Sequence, residues 1–375
     1  MSTPPLDLSR LKVLPLADRK SLTRVEDILI PPDSPPAPCP PHAGAVISEC
    51  SERIRAARAR GAGVMLIYGA HLLRNGAALI LTRMMARGWL THLATNGAGS
   101  IHDWEYAFLG ASTESVEENV ATGTFGAWDE TGRNIHLALL AGGLRGEGYG
   151  RAVGRFMAED GVTLPSAESL EQAIQAEPGH SLAPARADLL RAMRFHQLPS
   201  GRIQVQHPWK HASIIAQAFL HGTALTVHPG VGYDIISCHP LFNGAAIGRA
   251  AELDFRQFAG AVEKLDGGVV LSIGSAIMGP QVFEKSLSCV NNLRLQTGRS
   301  IVRDHRIYVI DIQEAGNWDW TKGEPPKTDP AYYLRFCKSY SRMGGAMQYV
   351  CCDNAAFIHQ LYHQLCGTLP ALHPA

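Results

Sequence analysis

From about Gly44 onward the chain alternates between two hydrophobic periods. SECSERIRAARARG (48–61) repeats its apolar residues every three to four positions and predicts a helix closing at glycine, whereas GVMLIYG (63–69) is a short continuous apolar run, a buried strand. GAALILTRMMARG (76–88) reads as a helix and LTHLATNG (90–97) as the next strand. Strand, helix, strand implies a parallel βαβ unit.

The alternation returns in ASIIAQAFLHG then ALTVHPG, in DFRQFAGAVEKLDG then GVVLSIG, in PQVFEKSLSCVNNLRLQTG then RIYVIDIQ, and in AMQYVCC then NAAFIHQLYHQLCG. The expected fold class is α/β, a doubly wound, mostly parallel sheet with helices on both faces. Residues 31–42, PPDSPPAPCPPH, are dominated by proline, which fixes φ and removes amide donors, so residues 1–43 are expected to form a proline-rich N-terminal arm. Residues 44–375 are expected to form one body, with 145–200 as a helical excursion carrying SAESLEQAIQAE and ARADLLRAMRFHQ.

Composition narrows the function classes. The 375 residues are 46% hydrophobic and hold 34 Lys+Arg against 34 Asp+Glu, so a large core is available and no bulk charge draws the chain to nucleic acid. The most apolar run, GVMLIYGAHLLRNGAALILT, is cut by His71, Arg74 and Asn75, and the N-terminus lacks the basic-then-apolar order of a signal peptide. A cytoplasmic protein without a membrane segment is expected. The eight cysteines show no CxxC spacing, and His207/His211 and His359/His363 lack a nearby third ligand, so no metal is expected.

Neither GxGxxG nor a P-loop occurs. The strands nevertheless end in small and polar residues: Ala70 to Gly76 (AHLLRNG), Thr95 to Asp103 (TNGAGSIHD), Pro229 to His239, Gly274-Ser-Ala, Asp311 to Glu314, and Cys352-Asp-Asn354. Ligands of open α/β sheets sit beyond the carboxyl ends of strands. Backbone amides beside carboxylates there suit a dinucleotide: donors for pyrophosphate, acids for ribose.

The order and spacing of these segments resemble deoxyhypusine synthase and its homospermidine synthase relatives, over roughly residues 60–110 and 220–365. The resemblance implies NAD as cofactor, a polyamine or other small amine as substrate, and a homotetramer. AHLLRNG lies in register with a family segment that contacts NAD, which gives His71, Asn75 and Gly76 that role. Thr95, Asn96 and Gly97 resemble a glycine-rich NAD contact, and Asp103 an acidic partner. Gly274, Asp311, Asp353 and Asn354 complete the implied cofactor set, while Asp234, His239, Asp319 and Phe336 fall on implied substrate positions. PAYYLRFCK places Lys338 where the family has its catalytic lysine, with Tyr332 in place of a glutamate. The implied reaction is NAD-dependent transfer of an aminobutyl group through a lysine imine. The alternative is the same fold with NAD-type nucleotide binding and a changed or lost reaction on a different substrate; the altered first acid and the missing histidine pair at Ser272 and Ile273 point that way.

Overall fold

In the computed structural model, residues 4–367 are described apart from 275, 276, 315 and 317. Tertiary contacts divide the chain into two compact units. The first comprises Met1–Asp27, Ser100–Phe219 and Pro229–Asp254; the second comprises Ile28–Gly99, Leu220–His228 and Phe255–Ala375.

The second unit is built on six strands, β1 (Val64–Tyr68), β2 (His92–Asn96), β3 (Ala224–His228), β4 (Val269–Ile273), β5 (Arg306–Asp311) and β6 (Ala346–Cys351). All pair in parallel, in the order β6-β5-β4-β1-β2-β3. Both faces of β1 and β4 are buried, which is why these segments read as unbroken apolar runs rather than as alternation. One face, carrying Met65, Ile67, Val270, Ile307 and Val309, packs on Phe258 and Val262, on α3 (Met278–Gln296) through Phe283 and Leu287, and on α4 (Arg335–Ser341) through Cys337 and Tyr340. The other is covered by α1 (Pro41–Ala59), which also packs against α5 (Asn354–Cys366), itself in contact with α2 (Ala78–Ala86). The expected doubly wound α/β fold is present.

α1 begins inside the proline-rich segment. Pro41 stands at its first position, where a missing amide costs nothing and the fixed φ already suits a helix. Residues 31–40 contain no helix or strand.

In the first unit, helices Asp129–Gly143 and Tyr149–Ala158 pack together, as do Ala167–Ala176 and Ala183–His196. Two antiparallel ribbons pair Thr23–Arg24 with Ala111–Ser112 and Gly161–Leu164 with Gly201–Gln204. The chain start belongs to this unit: the Leu14 amide donates to Ala127 O at 2.8 Å and the Leu16 amide to Glu130 Oε2 at 2.7 Å. Fully buried Glu105 accepts from the Arg19 guanidinium at 2.7 Å, from Ser112 Oγ at 2.5 Å and from Thr131 Oγ1 at 3.0 Å. Among the described residues no helix is long and apolar enough to cross a membrane.

Candidate dinucleotide site

The strand order of the second unit reverses between β1 and β4. Chain connections leave these neighbours in opposite directions, so a crevice opens beyond their carboxyl ends. β1 ends at Tyr68, and Gly69 leads directly into the short helix Ala70–Arg74; β4 ends at Ile273, and Gly274 follows with φ +78°. The Gly69 amide donates to Ile273 O at 3.4 Å, tying the two exits together.

Three of the sequence-derived residues meet here. A side chain built on Gly274 would come within 3.6 Å of His71 Cβ, 3.5 Å of the Leu72 amide nitrogen and 3.4 Å of Asn354 Nδ2. His71 is exposed, whereas Asn354 is buried at the first position of α5. Its Oδ1 accepts no hydrogen bond among the described residues. A left-handed glycine that keeps the strand exit bare, beside an unsatisfied buried acceptor, fits a hydroxyl- or amide-bearing ligand.

Neighbouring candidates are spent on the fold. Asp353 caps α5, its Oδ1 accepting from the Ala356 amide at 2.8 Å. Asp311, at the carboxyl end of β5, accepts from the Ile312 amide at 2.7 Å. Fully buried Thr95 donates to Tyr68 O at 3.0 Å, and Asn96 Oδ1 takes the Gly99 amide at 2.8 Å, capping the helix Gly97–Leu109 that starts at Gly97. A Cβ on Gly99 would lie 2.0 Å from Thr95 Oγ1, so packing against the strand explains that glycine. At Gly76, with φ +84°, a Cβ would fall 1.8 Å from Ile28 O; this glycine admits the backbone of residues 28–30, and Asn75 ends the preceding short helix.

Asp103 belongs to the first unit and is fully buried. Its carboxylate accepts from Ser213 Oγ, from the Ile214 amide at 2.8 Å and from the Ile215 amide at 3.1 Å, holding the start of helix Ile214–Leu220. Burial outweighs these donors and pushes it up to about 6. Asp234 is also raised to about 6 by burial, against the Gly230 amide that donates to it at 2.8 Å. Buried His239 accepts from the Leu241 amide on Nδ1 at 3.0 Å, so Nε2 carries the proton and donates to Asp129 Oδ1 at 3.2 Å. It lines a cavity of about 520 Å³ in the first unit together with Arg191, His196, Asp188 and Asn243.

In the second unit, Asp319 is exposed and caps its own turn, accepting from Thr321 Oγ1 at 2.6 Å and the Thr321 amide at 3.1 Å, and these bonds hold it below the usual carboxylate range. Half-buried Lys338 lies on α4 with its ammonium 3.7 Å from the centre of the Tyr332 ring. Phe336 packs edge-on against Tyr340, with ring centres 5.4 Å apart.

Sequence reasoning passed over His228, buried at the carboxyl end of β3. Thr226 Oγ1 lies 3.1 Å from its Nε2 and 3.0 Å from His92 Nε2, and burial lowers His228 to about 4 and His92 to about 3, so both are neutral. A histidine on an apolar strand carries no signal of such pairing. Gly69 was legible as the end of the strand GVMLIYG, but its place at the reversal of the sheet follows only from the strand order.

No family model and no curated protein matches the chain. Solved structures do match. One is described as the ternary complex of AgrE with ornithine and NAD+, at 12% identity and a TM-score of 0.43, covering 87% of this chain and 33% of that one. A conserved putative LOR/SDH protein from Methanococcus maripaludis S2 matches at 13% identity and 0.42, covering 90% and 74%. ArgZ, an arginine dihydrolase from the ornithine-ammonia cycle in Cyanobacteria, matches at 11% and 0.41, covering 88% and 32%. The chain thus spans about a third of the AgrE and ArgZ chains.

Aminobutyl transfer from a polyamine through a lysine imine, expected from the resemblance, is corrected. The matching structures described above are arginine- and ornithine-related or LOR/SDH proteins, not deoxyhypusine synthases. The local geometry agrees: Tyr332, standing where the family has a glutamate, engages Lys338 by its ring face, and Asp319 is consumed by its own turn.

Proposed function

We propose that the second unit binds an NAD-type dinucleotide at the reversal between β1 and β4, and that the chain is an enzyme acting on a small molecule by a reaction other than aminobutyl transfer. The observation that carries this is the convergence of His71, the Leu72 amide, Gly274 and Asn354 at the switch point of a 6-5-4-1-2-3 parallel sheet. Gly69 and Gly274 would let the ligand approach both strand exits closely. Asn354 Oδ1 would accept from a ribose hydroxyl or carboxamide, and His71 would flank it. Bound NAD would supply hydride acceptance or donation.

AgrE was solved with ornithine and NAD+, which makes NAD+, NADH and ornithine the first ligands to test. The test is titration of the full chain with NADH, followed by fluorescence and calorimetry. Asn354→Ala removes a buried acceptor that has no donor, so it leaves stability unchanged or raised while weakening NADH binding at least tenfold. His196→Ala, in the first unit, leaves binding unchanged. Absence of NAD+ and NADH binding to the unmodified chain, or binding unaffected by Asn354→Ala, overturns the proposal.

A further inference from the structure

Within the second unit the proline-rich segment runs past α5 and meets two of its histidines. His359 and His363 stand one turn apart, so their rings share a face of the helix. Their Nε2 atoms lie 3.2 Å from each other, and 3.0 Å and 3.1 Å respectively from the same oxygen, Pro32 O; His363 Nε2 is also 3.1 Å from Ser34 O. His359 and Pro32 are buried, His363 and Ser34 half-buried. A neutral imidazole shares one proton between its two nitrogens. The single Nε2 position of His363 therefore faces two carbonyl oxygens and a second ring nitrogen, more than one N–H can serve with straight hydrogen bonds. The separations suit a shared central ion. Donors about 2.0–2.1 Å from a metal stand about 2.9 Å apart along an octahedral edge and about 3.3 Å apart along a tetrahedral one, and the four distances lie between these values. Among the described residues no third His, Cys, Asp or Glu joins the pair, so backbone oxygens complete the donor set. A backbone carbonyl carries no residue type, which is why the sequence shows only the histidine pair.

We propose that His359 Nε2, His363 Nε2, Pro32 O and Ser34 O form a structural site for a divalent transition-metal ion of the zinc and nickel class that imidazole favours. Both rings would bind as neutral Nδ1–H tautomers, the ion standing in place of the protons between the Nε2 atoms and the carbonyls. The set lacks thiolate, which gives no purchase to Cu(I), and its two ring nitrogens disfavour ions that prefer oxygen alone, Mg²⁺ and Ca²⁺. Bound there, the ion would pin residues 32–34 to α5, beside the bond that Gln360 donates to Ala37 O at 2.7 Å. A ligand that binds only the folded chain raises its stability. The site is independent of the dinucleotide proposal.

The test takes the full chain, stripped with a chelator and dialysed, and titrates it with Zn²⁺ and Ni²⁺ by calorimetry, with thermal melts alongside. The expected result is one ion per chain and a rise in melting temperature on loading, reversed by EDTA, with Mg²⁺ inert. His359→Gln and His363→Gln keep a side-chain N–H for Pro32 O and remove the ring nitrogen; each weakens Zn²⁺ binding at least tenfold and abolishes the thermal shift. His211→Gln, at an exposed histidine of the first unit, leaves both unchanged. Zinc X-ray absorption of the unmodified chain decides the matter even where a variant misfolds: a first shell of nitrogen and oxygen at about 2.0–2.1 Å, containing two imidazoles, is expected. No saturable binding, binding unaffected by either glutamine variant, or a shell containing sulfur overturns the site and leaves the two histidines as hydrogen-bond donors to the proline-rich segment.

Discussion

The Asp103 carboxylate receives the Ile214 amide at 2.8 Å, joining residues 111 positions apart. An acid that the sequence offered to a ribose is instead the cap of a buried helix in the first unit, with Ser213 Oγ and the Ile215 amide as its other donors. A buried carboxylate with three donors has little left for a ligand.

Burial raises Asp103 from its ordinary 3.8 to about 6, so the folded chain holds this proton more tightly than the unfolded chain does. The stabilisation is present in full below about pH 4 and is lost as pH rises through about 6. Asp103→Asn removes this component while keeping an oxygen for the amides. Thermal melts from about pH 4 to 6.5 should show the wild type losing stability relative to the variant as pH rises. Asp234, raised in the same direction, keeps some pH dependence in both proteins.

Arg19 and Glu105 form a fully buried ion pair at 2.7 Å, further bonded to Ser112 and Thr131. Removing one member strands the other charge in the interior. Arg19→Met is expected to cost about 3–5 kcal/mol in denaturant unfolding, and Arg19→Met with Glu105→Gln to recover part of it. Equal losses for single and double variants would show that the pair itself contributes nothing.

Gly99 has no room for a methyl group, since a Cβ would sit 2.0 Å from Thr95 Oγ1. Gly99→Ala should destabilise by about 1–3 kcal/mol, and Thr95→Ala in the same chain should relieve part of that cost. The coupling is measured by a double-mutant cycle of unfolding free energies.

Lys338, held over the Tyr332 ring, should form no imine: incubation with NAD+ and spermidine followed by borohydride leaves the protein mass unchanged. Lys338→Met should change stability by no more than about 1 kcal/mol, the scale of a partly exposed cation–π contact. A spermidine-derived adduct at Lys338 would restore the transfer chemistry set aside above.

All six parallel strands were legible as short segments ended by small or polar residues; β1 and β4 are unbroken apolar runs buried on both faces, whereas the edge strand β6 is only partly buried. Helix Pro41–Ala59 was legible only from Ser48 onward: its first two residues close the proline-rich segment, and their helical role depends on Pro41 standing at the first position. Helices Asp129–Gly143 and Tyr149–Ala158 were not read from the sequence: the first is buried along nearly its whole length, so no polar face marks its period, whereas the second does carry a helical stripe, Tyr149, Val153, Phe156 and Met157, that was passed over. Of the sequence-derived cofactor residues, His71, Gly274 and Asn354 meet at one place. Thr95, Asn96, Gly99 and Asp103 share the glycine-and-acid pattern of a ligand site, yet cap and pack helices, since a helix start asks for the same small and acidic residues as an anion or hydroxyl does.

The sequence by itself determined the six parallel strands and most of the helices between them, because hydrophobic period and glycine punctuation act locally. It also determined that no dinucleotide fingerprint opens the first helix. Only the tertiary structure decided the order of the strands, and with it the place where β1 and β4 part. It likewise decided which polar residues are consumed: hydrogen-bond partners as distant in sequence as Asp103 and Ile214, or Arg19 and Glu105, are brought together by packing, and no local pattern records that meeting.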